Sequence, residues 1–526
     1  MVIASLATQE DYWDDFQLLE DDIDFLYSYL LEIETPLTPQ EIIKVLVEDR
    51  LERERKKIEL KRISGGDLYL PKDEYQLEQT LVFPELNWRQ AVVINLRPGK
   101  NPDLGEFTVM QVRFENNEER EFASGLASHI LNEPPAGADE EAPEGELVIA
   151  SHGNTLAAGL EHGLLENSDF VRIAGRWFPR ALLININDGH LNLAEALLDI
   201  AGGGPLPTSE LLEQLDLPIN DNPKLVEFSL DLALQEDDRF DEIGPAGQVL
   251  WFLKRLEPDG VSEIPIYLQY EKIEYDQSEL TPDMLALENQ LDDELSESIT
   301  VSSEKTKDVA VSLLFPHWRA GTLPLTPQVK PFFPTAYLTS RIRFMLVDGA
   351  SGKKFPGWVV RNGGYIFGLD QWYRQHGLMP GSIVRIKHGK EAGEVIISVD
   401  SKRSRRDWVR TVLVGADGGV VFATLKQLVA AGYDERMGIY VPELESLDQV
   451  WQKNLLNKHP FERTVAKVAR ELTKLNPQGH VHITELYAAI NLVQRCPPGQ
   501  LMALLTSRPW YVHVGDLHYR FDDSAN

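Results

Sequence analysis

The chain has 526 residues, of which 43% are hydrophobic and 9% aromatic, with one cysteine and a formal net charge of −32. That length exceeds what one hydrophobic core can organise and predicts several domains, while the absence of any run of about eighteen apolar residues excludes a transmembrane helix. The opening "MVIASLATQEDYWDDF" lacks the basic stretch of a secretory signal, and Cys496 alone can form neither an internal disulfide nor a thiolate metal site. A cytoplasmic protein without metal, cofactor or membrane partner is expected.

From the N-terminus, "DDIDFLYSYLLEI" has helical spacing, and "TPLTPQEIIKVLVEDRLERERKK" offers Thr38 as N-cap and Pro39 in the first turn of a long charged helix. "KRISGGDLYLP" follows, with apolar alternation about Gly65–Gly66, and predicts a β-hairpin. Helices closed by an apolar hairpin predict a winged helix over 20–80. Over 81–130 the period becomes two: "RQAVVINLRPG", "GEFTVMQVRFE" and "REFASGL" read as strands of a small SH3-like barrel. There "VVINLRPGKN" loosely resembles the strand-turn of KOW-type barrels in transcription elongation factors; a purely structural barrel is the alternative.

"NEPPAGADEEAPEGE" predicts an acidic linker over 131–147. One helix, "NTLAAGLEHGLLENSDF", then precedes a second hairpin phrase, "FVRIAGRWFPR", so 148–183 reads as a partial winged helix. Over 184–258, "LNLAEALLDI", "PLPTSELLEQL" and "KLVEFSLDLALQEDDRF" give three helices before the hairpin "FDEIGPAGQVLWFL". This block resembles the HARE-HTH winged helix of the bacterial RNA polymerase delta subunit. The resemblance implies a protein partner such as RNA polymerase. It agrees with the acidic third helix, whose Glu227, Asp231, Glu236, Asp237 and Asp238 would repel a duplex. Residues 259–310 read as an acidic connector in which Thr281 caps one short helix.

Charge then reverses. Residues 1–310 hold 24 Lys and Arg against 65 Asp and Glu, whereas 311–410 hold 16 against 6. Such asymmetry points to an acidic arm joined to a polyanion-binding part, although acidic surfaces also serve solubility alone. Within 311–410 the phrases "RIRFMLVDG", "DGASGKKFPGW", "YIFGLDQWYRQHGL" and "MPGSIVRI" predict strands around one helix. They resemble the DNA-binding pseudobarrel of plant B-three transcription factors and of some restriction-enzyme effector domains. Ser382 stands where that family has Asp in the final turn, which predicts a lost turn contact. The resemblance implies DNA as partner. Arg341, Arg343, Lys353, Lys354 and Arg361 lie on its strands and turns, and "SKRSRRDWVR" adds Lys402, Arg403, Arg405, Arg406, Trp408 and Arg410. Lys and Arg bind phosphates by counterion release, and Arg also reads guanine edges. A solvated basic linker is the competing reading of the second group.

Residues 411–455 read as a connector and 456–526 as a last winged helix, with "WYVHVGDLHYRF" as its hairpin and Arg463, Lys467, Arg470 and Lys474 as cations suited to DNA. No P-loop, dinucleotide fingerprint, zinc spacing or nucleophile elbow is present; His162 lacks a metal partner at suitable spacing, and the "HVH" at 480–482, able in principle to chelate, reads as a solvent-facing strand edge. No enzyme activity is expected. The sequence thus predicts a multidomain α+β protein of several winged helices, an SH3-like barrel and a pseudobarrel, transcription-associated and DNA-binding. The alternatives are the recognition subunit of a defence or restriction system, or a protein scaffold that never meets nucleic acid.

Overall fold

The computed structural model describes residues 10–522 except 65, 84, 85, 87, 88, 102–106, 115, 116, 133–143, 216, 218–221, 297–305, 392, 416, 417, 458 and 459. It describes 10, 11, 57–64, 130, 144, 401–405 and 455–457 as backbone alone. Parts of the expected linker over 131–147 and connector over 259–310 therefore lie outside the described residues. The architecture is mixed α+β, with helices and several separate sheets in two units: Met1–Asn185 with Pro218–Ser229, and Ile186–Leu217 with Leu230–Asn526.

In the first unit, α1 (Glu10–Asp14), α2 (Glu20–Ile33) and α3 (Pro39–Ser64) come first. Thr38 caps α3 reciprocally: its backbone N–H donates to Glu41 at 2.8 Å, and the Glu41 N–H donates to its hydroxyl at 3.3 Å. No hairpin forms around Gly66. Instead β1 (Asp67–Leu68) pairs in parallel with β2 (Thr80–Phe83), and β3 (Arg89–Pro98), β4 (Thr108–Phe114) and β5 (Glu119–Ser124) continue as an antiparallel meander. Tyr69, expected as a wing aromatic, is buried with Phe83, Val93 and Phe114 in the core of this sheet, and its hydroxyl donates to the Ala123 carbonyl at 2.7 Å. That contact ties the β1 end to β5, the opposite edge. The apolar alternation of "DLYL" was met by a neighbouring sheet rather than by a hairpin of its own.

After the sheet comes α4 (Glu144–Glu166), then the hairpin β6 (Phe170–Ile173) and β7 (Arg176–Pro179). α4 packs on α3, and Leu37, just before α3, bridges to Trp177 of β7. α4 and the β6–β7 hairpin therefore pack with α2 and α3, and the five-stranded sheet lies between α3 and α4 in the chain. Gly159 and Gly163 of α4 have a physical reason: a Cβ there would stand 2.6 Å from the Phe16 carbonyl oxygen and 2.7 Å from Leu18. Their absence of side chains lets the link between α1 and α2 lie on the helix.

The second unit begins with α5 (Asp188–Ile200), β8 (Leu206–Pro207) and α6 (Thr208–Gln214). α7 (Pro223–Glu236) follows, belonging to this unit from Leu230, and then β9 (Phe240–Glu242) and β10 (Leu250–Leu253), in a sheet ordered β8-β10-β9. The acids expected to repel DNA are partly internal. Asp231 accepts from the buried Trp251 indole at 2.9 Å, and Asp237 pairs with Arg239 at 2.7 Å. After α8 (Asp259–Ser262) and α9 (Pro282–Leu291), a seven-stranded sheet forms from β11 (Asp308–Ser312), β12 (Thr322–Pro324), β13 (Arg341–Asp348), β14 (Lys354–Val360), β15 (Tyr365–Phe367), β16 (Ile383–His388) and β17 (Glu394–Val399). Its order is β11-β16-β17-β13-β14-β15-β12, with only β13 and β17 parallel and α10 (Phe315–Ala320) and α11 (Asp370–His376) between strands. Asp348 organises the "DGASGKK" turn, accepting from Ser351 N at 3.1 Å and the Trp372 indole at 3.1 Å. Ser382 does not forfeit its turn contact: its hydroxyl accepts the Met379 N–H at 3.0 Å.

The segment read as a connector from 411 is different. β18 (Ser401–Val414) and β19 (Val420–Ala431) form a long two-stranded ribbon. α12 (Leu444–Asn457) follows, then α13 (Phe461–Thr473), β20 (His480–His482), α14 (Ile483–Ile490), α15 (Pro498–Ser507), β21 (Tyr511–Gly515) and β22 (His518–Phe521), with sheet order β20-β22-β21. Helix, short strand, two helices and hairpin thus recur here in the same order as in α5–β10. The turn end of the ribbon, through Val412 and Phe422, shares one core with α12 to α15.

Candidate nucleic-acid interface

The expected cations separate into two groups. Arg341 lies on β13, a strand paired on both sides, and its guanidinium bonds Asp241 at 3.1 Å and Glu257 at 2.9 Å. Arg343, two residues along the same face, donates to the Gly204 carbonyl at 2.9 Å and lies over the rings of Phe252 and Trp358 at 5.5 and 5.9 Å. These two arginines hold β9 and its neighbours against the seven-stranded sheet, where Ile243, Phe252, Trp358 and Tyr365 share a core. Arg361 donates to the carbonyls of Ala336 and Thr339, both at 2.9 Å. Lys354 is paired with Glu391 at 3.1 Å and with Glu394. Arg410 bonds Glu485 at 2.5 Å and the Arg436 carbonyl at 2.8 Å. Arg341, Arg343 and Arg410 thus find partners inside the folded body, while Lys354 and Arg361 are exposed yet partnered.

Burial pushes the Glu257 carboxyl up to about 8, and the neighbouring Asp241 adds to the rise against the pull of Arg341. The Glu257 side chain is fully buried whereas that of Asp241 is partly exposed, so burial favours a proton on Glu257.

Lys353 and Arg406 remain exposed, and Trp408 is 64% exposed. The side chains of Lys402, Arg403 and Arg405 lie outside the described residues. Arg406 and Trp408 stand on one face of the ribbon, directly opposite Leu428 and Lys426 of β19. The Lys426 ammonium sits 5.3 Å from the centre of the Trp408 ring, and Leu428 is 61% exposed. Cross-strand pairs on one face interact, so these four side chains make a single patch. Lys426 and Leu428 were missed because 411–455 was read as a connector. The alternation in "VVFATLKQLVAA" was the signal that could have found them.

The last module does not present its third helix. Pro498, Gly499, Gln500, Leu501, Met502, Ala503 and Leu505 of α15 are all buried, and the helix packs against α9. Beside it Arg495 bonds Asp293 and Glu294, each at 2.7 Å, and Glu294 accepts from His317 at 3.0 Å. A helix so covered is not free to enter a groove. Arg463 and Lys467 on α13 are exposed, as is Lys474 just beyond it, which is paired with Glu471. His482 is buried beside Arg436, and burial first, then that charge, lowers its imidazole to about 4. Among the described residues no His, Cys, Asp and Glu group is arranged to hold a metal ion, and no helix is long and apolar enough to cross a membrane. No family model, curated protein or solved structure matches this chain.

Proposed function

We propose that this chain is a transcription-associated, DNA-binding regulatory protein that meets nucleic acid through the β18–β19 ribbon. The observation that carries this reading is the exposed patch of Arg406, Trp408, Lys426 and Leu428, two cations flanking an aromatic ring on a two-stranded ribbon. A two-stranded ribbon fits a DNA groove, cations bind phosphates, and an indole stacks on bases. In this reading the recurring helix–strand–helix–helix–hairpin blocks are winged helices, and the seven-stranded sheet is a B-three-like pseudobarrel that carries the ribbon. The acidic modules would dock a protein such as RNA polymerase. In support, α4 leaves Leu147 and Leu165 exposed on a helix that also shows Asn154 and Ala158 to solvent.

The test is fluorescence anisotropy of the full chain with a labelled duplex at two salt concentrations. A fragment ending at 410 would sever β18 from β19 and from the core beneath its turn. Binding that weakens steeply with salt, and that falls in Arg406→Ala and Lys426→Ala, is expected. Absent binding would favour the scaffold reading, and binding indifferent to both substitutions would remove the ribbon from the interface.

A further inference from the structure

Resting on that reading, we infer that the ribbon takes unpaired nucleotides in preference to duplex, with the Trp408 ring as the stacking platform for a base. Folding does not explain Trp408. An indole left 64% exposed forgoes most of the burial that makes tryptophan stabilising, and on this chain Trp13, Trp177, Trp251 and Trp451 are fully buried. Nor is it an isolated surface aromatic. Its cross-strand partner Lys426 holds one face of the ring at 5.3 Å, and Arg406 is the next cation on the same side of the ribbon.

A stacking ring with cations at its edge is the arrangement by which single strands are held: the ring takes a base face and the ammonium and guanidinium take the flanking phosphates. Base faces are covered in an intact duplex and open in a single strand. Trp408 is also a wall of a cleft of about 520 Å³ whose other walls include Thr424, Tyr433, Asn476 and His480. Its carboxylates are Glu485, already tied to Arg410, and Glu435. The cleft gives the strand somewhere to continue after the stacked base, bordered by groups that hydrogen-bond sugars and base edges.

The experiment compares oligothymidylate, oligouridylate and a duplex of equal length by anisotropy with the full chain. Oligothymidylate or oligouridylate should bind roughly tenfold tighter than duplex or better, and the tighter of the two assigns the strand as DNA or RNA. Trp408→Ala should weaken single-strand binding roughly five- to hundredfold, Trp408→Phe should restore most of it, and thermal melting should be unchanged in both. Equal affinity for single strand and duplex, or a Trp408→Ala chain that binds single strands as the parent does, would overturn the inference while leaving the DNA-binding reading in place. No binding to any of the three would overturn that reading itself.

Discussion

Two basic strands of the same unit, β13 and β18, have opposite fates. Arg341 and Arg343 lie on a strand paired on both sides in a seven-stranded sheet, with a second module packed over the face they occupy. Arg406 and Trp408 lie on a ribbon of two strands, where no third layer covers the corresponding face. The same residue chemistry is a docking device in one place and an open patch in the other. What separates them is how many layers the chain stacks on each strand, because a buried guanidinium must find carboxylates or carbonyls and an exposed one need not.

That contrast can be broken by substitution, and Arg495 marks its upper end. Arg495→Ala leaves Asp293 buried without a counter-charge and Glu294 with His317 alone, and should cost about 3–5 kcal/mol in urea unfolding. Arg341→Ala takes the guanidinium from the partly exposed Asp241 and from Glu257, which already favours its proton, and about 2–3 kcal/mol is expected, with nucleic-acid affinity unaltered. A loss of affinity without loss of stability would return Arg341 to the binding surface.

The acid pair also gives a pH signature. Because Glu257 is raised in the folded state, its protonated form is the stable one there. The contribution of Glu257 to stability is therefore largest below the ordinary carboxylate range and is lost as pH rises from about 4.5 to about 8, where the unfolded chain ionises at this position and the folded one does not. Glu257→Gln should flatten that fall, read as the urea midpoint at the two ends of the window; an unchanged slope would mean another group carries it. The smallest stability effect belongs to the ribbon. Trp408→Ala and Arg406→Ala should each stay within about 0.5 kcal/mol of the parent, yet Arg406→Ala should reduce the salt slope of DNA binding by about one.

Much of the local order was legible. Thr38 capped its helix, the hairpin phrases at 170–179, 240–253 and 511–521 formed hairpins, and the strands around α11 fell where alternation put them. Where reading failed, the failures were of partnership. "KRISGGDLYLP" looks like the other hairpin phrases, but its apolar residues were claimed by β2, because a two-residue strand gains more from an existing sheet than from a turn of its own. The site was legible in part: Trp408 and Arg406 stood out in "SKRSRRDWVR", whereas Lys426 and Leu428 became their neighbours only through the pairing of β18 with β19.

The sequence by itself determined the elements outside 411–455, three of the four hairpins, the cap of α3 and the reversal of charge near residue 310, since these depend on interactions between near neighbours. Only the tertiary structure decided that α4 packs on α3 although a five-stranded sheet separates them in the chain, that α15 is covered, and that Arg341 and Arg343 face inward while Arg406 and Trp408 face water. The physical reason is that burial is a property of layers: which face of a strand or helix is covered depends on segments a hundred or more residues away, as Arg341 depends on Asp241.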